Sequence, residues 1–279
     1  MTDQFSNADC LALVERSPAA VAAHDKSAWL SLFARDHVVE DPVGSAPHVS
    51  DPAAGGDRLG PFYQTFIAPN TVRFHVDRDC IRGLNVMRDL TIEIIMSPRV
   101  TVRVPVHLLY ELVPEERELK IRRLAAHWEL WPMLKQQMLA GWPFLRVGCA
   151  SAGRMLRHLG VGGMLGFMRA LSSVGDPGKA KVMRFARFFS AGDRDGMAGL
   201  CADSGVEVAY SHEGPRLSLE ELAALGEELR VSKVQAAGSV ITATVDCRGT
   251  GTRRRGVALF ELDSDSCDIT ALTFYWSLD

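Results

Sequence analysis

The 279-residue sequence predicts an α+β fold built twice, with helices packed within a curved antiparallel sheet in each copy and a helical connector between the copies. Three observations predict it. Apolar residues recur at helical spacing as far as Phe33 and then alternate between Val72 and Trp131. Residues 132–175 are of a different kind, rich in Gly, Leu, Met and Arg. Beyond Gly175 the first pattern returns, a repeat that sets the domain organisation before any chemistry is argued.

In chain order, an amphipathic helix is expected from Asp9 through Leu11, Val14, Ala19, Val21 and Ala22, with Pro18 kinking it or dividing it in two. Asp25 reads as the N-cap of a second helix carrying Trp29, Leu30, Leu32 and Phe33 on its apolar side. Residues 50–60 have loop composition, and Pro61, in a position favoured early in helices, opens a short helix with Phe62 and Tyr63. Strands follow at 72–76, within 90–96 and 100–112, and at 119–131, divided by turns around Gly83, Pro98 and Pro114. Helices first and an antiparallel meander after them give a sheet that curls around the helices.

The connector's apolar residues recur at helical spacing, interrupted at Pro143 and by the glycine group from Gly160 to Gly163. Its arginines are spread along it rather than gathered. That favours a connector packed on the two domains and makes peripheral membrane contact the disfavoured alternative. In the second copy, Asp193 repeats Asp25 at an offset of 168 residues, and Trp276 repeats Trp128 at an offset of 148. The copy is therefore about 20 residues shorter. The first offset carries Asp41 onto Ala209, so the second copy keeps fold-making positions and lacks the carboxylate, as expected of a structural partner in an intramolecular pseudo-dimer. The expected units are 1–131, with the candidate site, the connector 132–175, and 176–279.

Charge is nearly balanced, with 31 basic and 34 acidic residues, which argues against a nucleic-acid partner. Arg253, Arg254 and Arg255 are a local exception, read as a solvated hairpin turn beside Gly249 and Gly251. The six cysteines are scattered with no Cys-x-x-Cys pair, which fits reduced, buried thiols in a cytoplasmic protein. The N-terminal residues lack the basic start and apolar core of a signal peptide, and no apolar run reaches the roughly 18 residues that span a bilayer.

The chemistry-bearing stretch is FARDHVVEDPVGSAP, residues 33–47, where Asp41 sits at the break of an apolar strand into Pro42 and Gly44. Proline ends regular structure and the turn holds the backbone, so a carboxylate is presented there into a cavity or into water. Residues 32–36 and 39–47, above all Glu40-Asp41-Pro42-Val43-Gly44-Ser45, resemble the corresponding stretch of the bacterial Δ5-3-ketosteroid isomerases. These belong to the NTF2-like superfamily, with SnoaL-like cyclases, scytalone dehydratase and limonene epoxide hydrolase. From about Leu11 to Trp131 the order of elements follows the same plan.

The resemblance implies tandem NTF2-like cones, each with three helices against a strongly curved sheet, and an apolar, steroid-sized pocket. In the family the aspartate carries a proton from C4 to C6 of a 3-keto steroid through a dienolate, opposite an oxyanion hole of a tyrosine and a protonated carboxylic acid. Asp41 stands at the aspartate's position, Ser17 at that of the oxyanion tyrosine, and His107 at that of the carboxylic acid. Phe62-Tyr63 matches a Phe-Tyr pair whose tyrosine supports the oxyanion tyrosine. His107 and Tyr63 are thus the candidate oxyanion donors beside Asp41, and Phe33, Phe62 and Trp128 the candidate substrate-binding residues. On the last strand, neighbouring residues face opposite ways, so either His127 or Trp128 enters the pocket.

The expected activity is proton transfer on a steroid-like or other hydrophobic ketone, with no metal or organic cofactor. A steroid- or lipid-binding protein without catalysis is an alternative. So is a dehydratase or epoxide hydrolase in which Asp41 and His107 act as an acid–base pair.

Overall fold

The computed structural model describes residues 5–51, 56–57, 59–139, 141–203, 205–211 and 214–278, so part of the expected 50–60 loop lies outside the described residues. Helix α1 (Asn7–Ala22) starts from a capping box: the Ser6 hydroxyl accepts from the Asp9 N–H while the Asp9 carboxylate accepts from the Ser6 N–H. Pro18 lies inside this single helix and does not divide it. Asp25 caps α2 (Lys26–Leu30), accepting from the Ala28 N–H at 2.9 Å. Next come β1 (Phe33–Glu40), β2 (His48–Asp51), β3 (Gly56–Asp57) and α3 (Leu59–Phe62), the last running on into a π-helical turn at Tyr63–Ile67. Pro61 is the third residue of α3 rather than its first.

The meander is β4 (Thr71–Arg82), β5 (Asn85–Ser97), β6 (Val100–Glu115) and β7 (Glu118–His127), in a sheet of order β3-β2-β1-β7-β6-β5-β4. Only β1 and β7 pair in parallel; the other neighbours are antiparallel. Val102, Val104, Val106, Leu108 and Tyr110 of β6 share one core with Leu13, Val14 and Val21 of α1, which is period-two alternation directed at the helices. The last strand, expected to reach Trp131, stops at His127, and α4 (Leu130–Leu139) begins there. Helix α5 (Trp142–Met168) bends at Gly160, whose φ of 70° and ψ of −177° leave the helical region.

The second sheet repeats the first. After α6 (Gly175–Ala191) and α7 (Arg194–Ala198) come β8 (Val208–Ala209), α8 (Leu219–Ala224), β9 (Glu228–Ala237), β10 (Val240–Gly249), β11 (Thr252–Leu262) and β12 (Ile269–Trp276), in the order β8-β12-β11-β10-β9. Its first and last strands again pair in parallel. Asp25 and Asp193 cap with the same φ of −86° and ψ of 89°. Phe33 pairs with Ile121 as Cys201 pairs with Ile269, at the offsets read from the sequence.

Two expectations are corrected. Glu40 pairs with Ala125, and Ala209 with Thr273, the repeat of Ala125; the counterpart of Asp41 is therefore Tyr210, one residue beyond Ala209. The second copy has one residue more between Cys201 and Val208 than a fixed offset allows, and it still lacks the carboxylate. The arginine triplet lies in β11 rather than in a solvated turn, with Arg253 paired to Asp246 and Arg254 donating to Glu227 at 2.5 Å.

The outer faces of the two sheets pack against each other through Cys80, Met87, Leu109 and Ala125 of the first and Ala237, Val257, Leu259 and Tyr275 of the second. Polar bonds cross the same face. His107 meets Thr242 at 2.8 Å and Thr244 at 3.0 Å, Thr244 donates to Asp89 at 2.7 Å, and Lys233 pairs with Asp89. The turn after Asp41 meets the second unit through the Val43 side chain and through a close backbone approach: a Cβ on Gly238 would lie 2.9 Å from the Gly44 Cα, and both glycines have positive φ. Gly238→Ala therefore forces this contact apart and strains its own backbone. The expected outcome is a loss of about 1–3 kcal/mol in chemical denaturation, with far-ultraviolet circular dichroism unchanged.

Candidate active site

Inside the first unit is a cavity of about 360 Å³ whose lining is overwhelmingly apolar. Val104, Val106 and Leu108 of β6, Leu124 and Ala126 of β7 and Phe62 of α3 are among its walls, and Met133, Met155 and Phe167 of the connector helices close it. The repeat explains why this space exists. Ser17, Val21 and Ala126 line it, and their counterparts at the offsets above are Phe185, Phe189 and Phe274, all in the packed core of the second unit. Tyr210 adds its ring there, 5.1 Å from Phe274 and 5.4 Å from Trp276. One copy is hollow because small side chains stand where the other has phenylalanines.

Asp41 reaches the cavity. It follows β1, where Glu40 turns the opposite way and is held by Arg123 at 2.7 Å. The turn is fixed by the Val43 N–H on the Ala126 carbonyl at 2.9 Å, the Ser45 N–H on the Pro42 carbonyl at 3.0 Å, and the Ala46 N–H on the Gly166 carbonyl of α5 at 3.0 Å. One carboxylate oxygen of Asp41, Oδ1, accepts from the Trp128 indole N–H at 2.6 Å. Burial among apolar side chains pushes the carboxyl up to about 6, and the indole bond, which favours the ionised form, opposes that rise. Trp276 keeps the geometry without the acid, its indole donating to the Tyr210 carbonyl at 2.5 Å.

The other polar groups of interest are Tyr110, Ser17 and Trp29, all on the lining. The Trp29 indole donates to the Ser17 hydroxyl at 3.2 Å, and Ser17 lies beside the Tyr110 phenol on the same lining. Burial raises the Tyr110 phenol above its ordinary range, and the nearby Asp41 charge raises it further, so this hydroxyl keeps its proton. Ser17 occupies the position that the resemblance gives to a tyrosine, and a tyrosine hydroxyl reaches it from β6 instead. Tyr110 is a residue that sequence reasoning missed. Its signal was present, because it continues the alternation of Val104, Val106 and Leu108.

The site residues expected from sequence are therefore divided. Asp41, Phe62 and Trp128 line the cavity together. His107 does not: alternation along β6 turns it to the outer face, where it is fully buried against Thr242 and Thr244 of the second unit. Thr244 spends its proton on Asp89, so it accepts from His107 Nε2–H and leaves Nδ1 to accept from Thr242. Burial pushes this imidazole down to about 3, so it stays neutral. His127 lies on the same outer face, with Nδ1 on the His107 carbonyl at 3.1 Å, which leaves Trp128 as the residue that enters the pocket.

Tyr63 is also displaced from its expected role. Its ring backs Trp29 at 5.7 Å, and its hydroxyl is buried with no hydrogen-bond partner among the described residues, out of reach of any ligand in the cavity. Phe33 stands behind the wall as well, edge-on to Trp29 at 4.7 Å. Among the described residues, no group of three or more His, Cys, Asp and Glu side chains is placed to hold a metal ion.

The raised Asp41 carboxyl has a consequence for stability. Between about pH 4, where an ordinary aspartate ionises, and about 6, the folded state holds a proton that the unfolded chain has released, so stability falls as pH rises through this window. Asp41→Asn removes the effect while retaining an acceptor for the indole. The variant is expected to melt above the wild type at neutral pH and to converge with it near about pH 4, as followed by thermal denaturation across pH.

No family model matches the chain, and no curated protein matches it in sequence. Solved structures do. A Mycobacterium tuberculosis protein in complex with estradiol-17β-hemisuccinate is 23% identical, over 45% of this chain and 96% of that one, with a TM-score of 0.38. The Δ5-3-ketosteroid isomerase of a Mycobacterium species is 26% identical, over 43% and 92%, at 0.37. A computationally designed 17-OHP binder is 22% identical, over 45% and 95%, at 0.39. The chain is similar to these proteins over less than half its length, and its own topology, helices against an antiparallel sheet closed by one parallel strand pair, occurs twice, the second time without the carboxylate.

Proposed function

We propose that the first unit is an isomerase-type enzyme that moves a proton on a hydrophobic, steroid-like ketone, with Asp41 as the base and Tyr110 as the oxyanion donor. The observation that carries this reading is a single carboxylate, raised to about 6, facing an apolar cavity. A base poised near the working pH is ionised enough to accept a proton and acidic enough to return it. Apolar walls bind the carbon skeleton and exclude water.

In the proposed step, Asp41 takes the proton from the carbon between the carbonyl and the double bond, C4 of a Δ5-3-ketone. Electrons move into a dienolate, and the same carboxyl returns the proton at C6. The Trp128 indole holds Asp41 Oδ1, which leaves the other oxygen for the proton. Tyr110, which keeps its proton, supplies the O–H donor that a developing enolate oxygen needs. His107 is withdrawn from that role, and with it the Asp41–His107 acid–base pair that a dehydratase or epoxide hydrolase reading required. The cavity alone also serves a steroid- or lipid-binding protein without catalysis, and turnover separates the two.

The test is conversion of 5-androstene-3,17-dione, followed by the ultraviolet absorbance of the conjugated enone. Activity is expected to rise with pH through about 6 and then level off, as the base ionises. Asp41→Ala is expected to abolish it, and Tyr110→Phe to lower kcat by about 10² to 10³. Saturable steroid binding with no enone formed would establish the binding reading instead.

A further inference from the structure

The connector has a second face. Among the described residues, most of the strongly exposed large apolar side chains lie between Trp131 and Leu171. Leu139 is 88% exposed, Trp142 81% and Val161 and Leu165 each 61%. On α5 the outward residues Trp142, Leu145, Cys149 and Leu156 follow one another at steps of three, four and seven, so they form one stripe along the helix. Beyond the bend, Val161 and Leu165, four residues apart, share a single exposed face. The opposite side of the same helices supplies Met155 and Phe167 to the cavity.

Charge on this segment is one-sided. Residues 130–175 contain no Asp or Glu, yet carry Lys135, Arg146, Arg154, Arg157 and Arg169, in a chain whose net charge is −3. Lys135, Arg146, Arg157 and Arg169 are exposed, and none has an ion-pair partner among the described residues. Lys135 lies over the Trp131 ring at 5.5 Å, so aromatic and cationic groups share one surface. No described helix is long and apolar enough to cross a membrane, and exposed tryptophans beside lysine and arginine are the composition of a helix that lies in the headgroup region.

We propose that the outer face of α4 and α5 docks on the surface of an anionic phospholipid bilayer. The occupant is argued from charge: a segment of five Lys and Arg with no acid has its complement in anionic headgroups, while a second copy of this chain would set like charges against each other. The helices that wall the cavity are then the helices in contact with lipid, which places an apolar ligand dissolved in the bilayer next to the site that receives it. Linear order in the sequence disfavoured this contact because the arginines are spread out. On the helix Arg146 and Arg157, eleven residues apart, fall along one edge of the apolar stripe.

The experiment is flotation of the full chain with vesicles of pure phosphatidylcholine and of phosphatidylcholine with phosphatidylglycerol. The wild type is expected to float with the anionic vesicles only, less so in high salt, with tryptophan fluorescence shifted to the blue. The double substitution Leu139→Ser, Trp142→Ser is expected to weaken vesicle binding at least about tenfold. Neither residue lines the cavity, so the variant is expected to keep the wild-type melting temperature and steroid conversion or binding. A wild type that stays in the soluble fraction with anionic vesicles would overturn the proposal. So would a double variant that floats equally well, or a concentration-dependent dimer that it abolishes while vesicles have no effect. These readouts do not depend on Asp41, and failure of the isomerase reading leaves them intact.

Discussion

A carboxylate facing an apolar cavity is the constraint on which the rest of the site depends. Asp41 among apolar walls resists ionisation, and its Oδ1 has one compensating bond, from the Trp128 indole. That bond needs Trp128 on the inner face of the strand end and Asp41 held at the start of the turn. The turn in turn leans on three neighbours: β7 through Ala126, the connector through Gly166, and the second unit through Gly238. The geometry that holds this carboxylate is thus distributed over both units and the connector, although the cavity belongs to one unit.

A few substitutions make one copy hollow and the other filled. Strand order, the parallel closing pair and the Asp25/Asp193 caps are common to both. Phe185, Phe189 and Phe274 fill the second unit where Ser17, Val21 and Ala126 leave space in the first. Filling a cone makes it a better packing partner, and emptying it makes room for a ligand at a cost in packing energy. The filled copy presents its outer face to the hollow one, where His107, Asp89, Thr244 and Lys233 form a polar cluster with hydrogen bonds running between the units. His107 serves the interface, and the neutral imidazole is what that dry setting permits.

Much of this was legible in the sequence, for physical reasons that also mark where legibility ended. Period-two alternation and the Asp-Pro-Val-Gly turn located the sheet and the acid, because both are local signals. Alternation also held the answer for β6: Val106 inward requires His107 outward and Tyr110 inward, and a resemblance based on position alone set that aside. Tyr63 and Phe33 failed differently. They are buried aromatics, as expected, and which side of Trp29 they occupy depends on packing between α2, α3 and β1 that no local pattern encodes. The connector's two faces were hidden because helical spacing shows that a stripe exists, while only the fold shows what each stripe meets.

The ionisation of Asp41 itself is the quantity on which the site stands or falls. It can be followed by 13C NMR of aspartate carboxyl carbons, with the Asp41→Asn variant used to assign the signal. A midpoint near about 6 in the free protein, moving lower as the Trp128 bond is left intact but water is admitted by a smaller cavity-wall residue, is the expected result. A midpoint near about 4, the range of an aspartate in water, would contradict the buried, indole-held base described here.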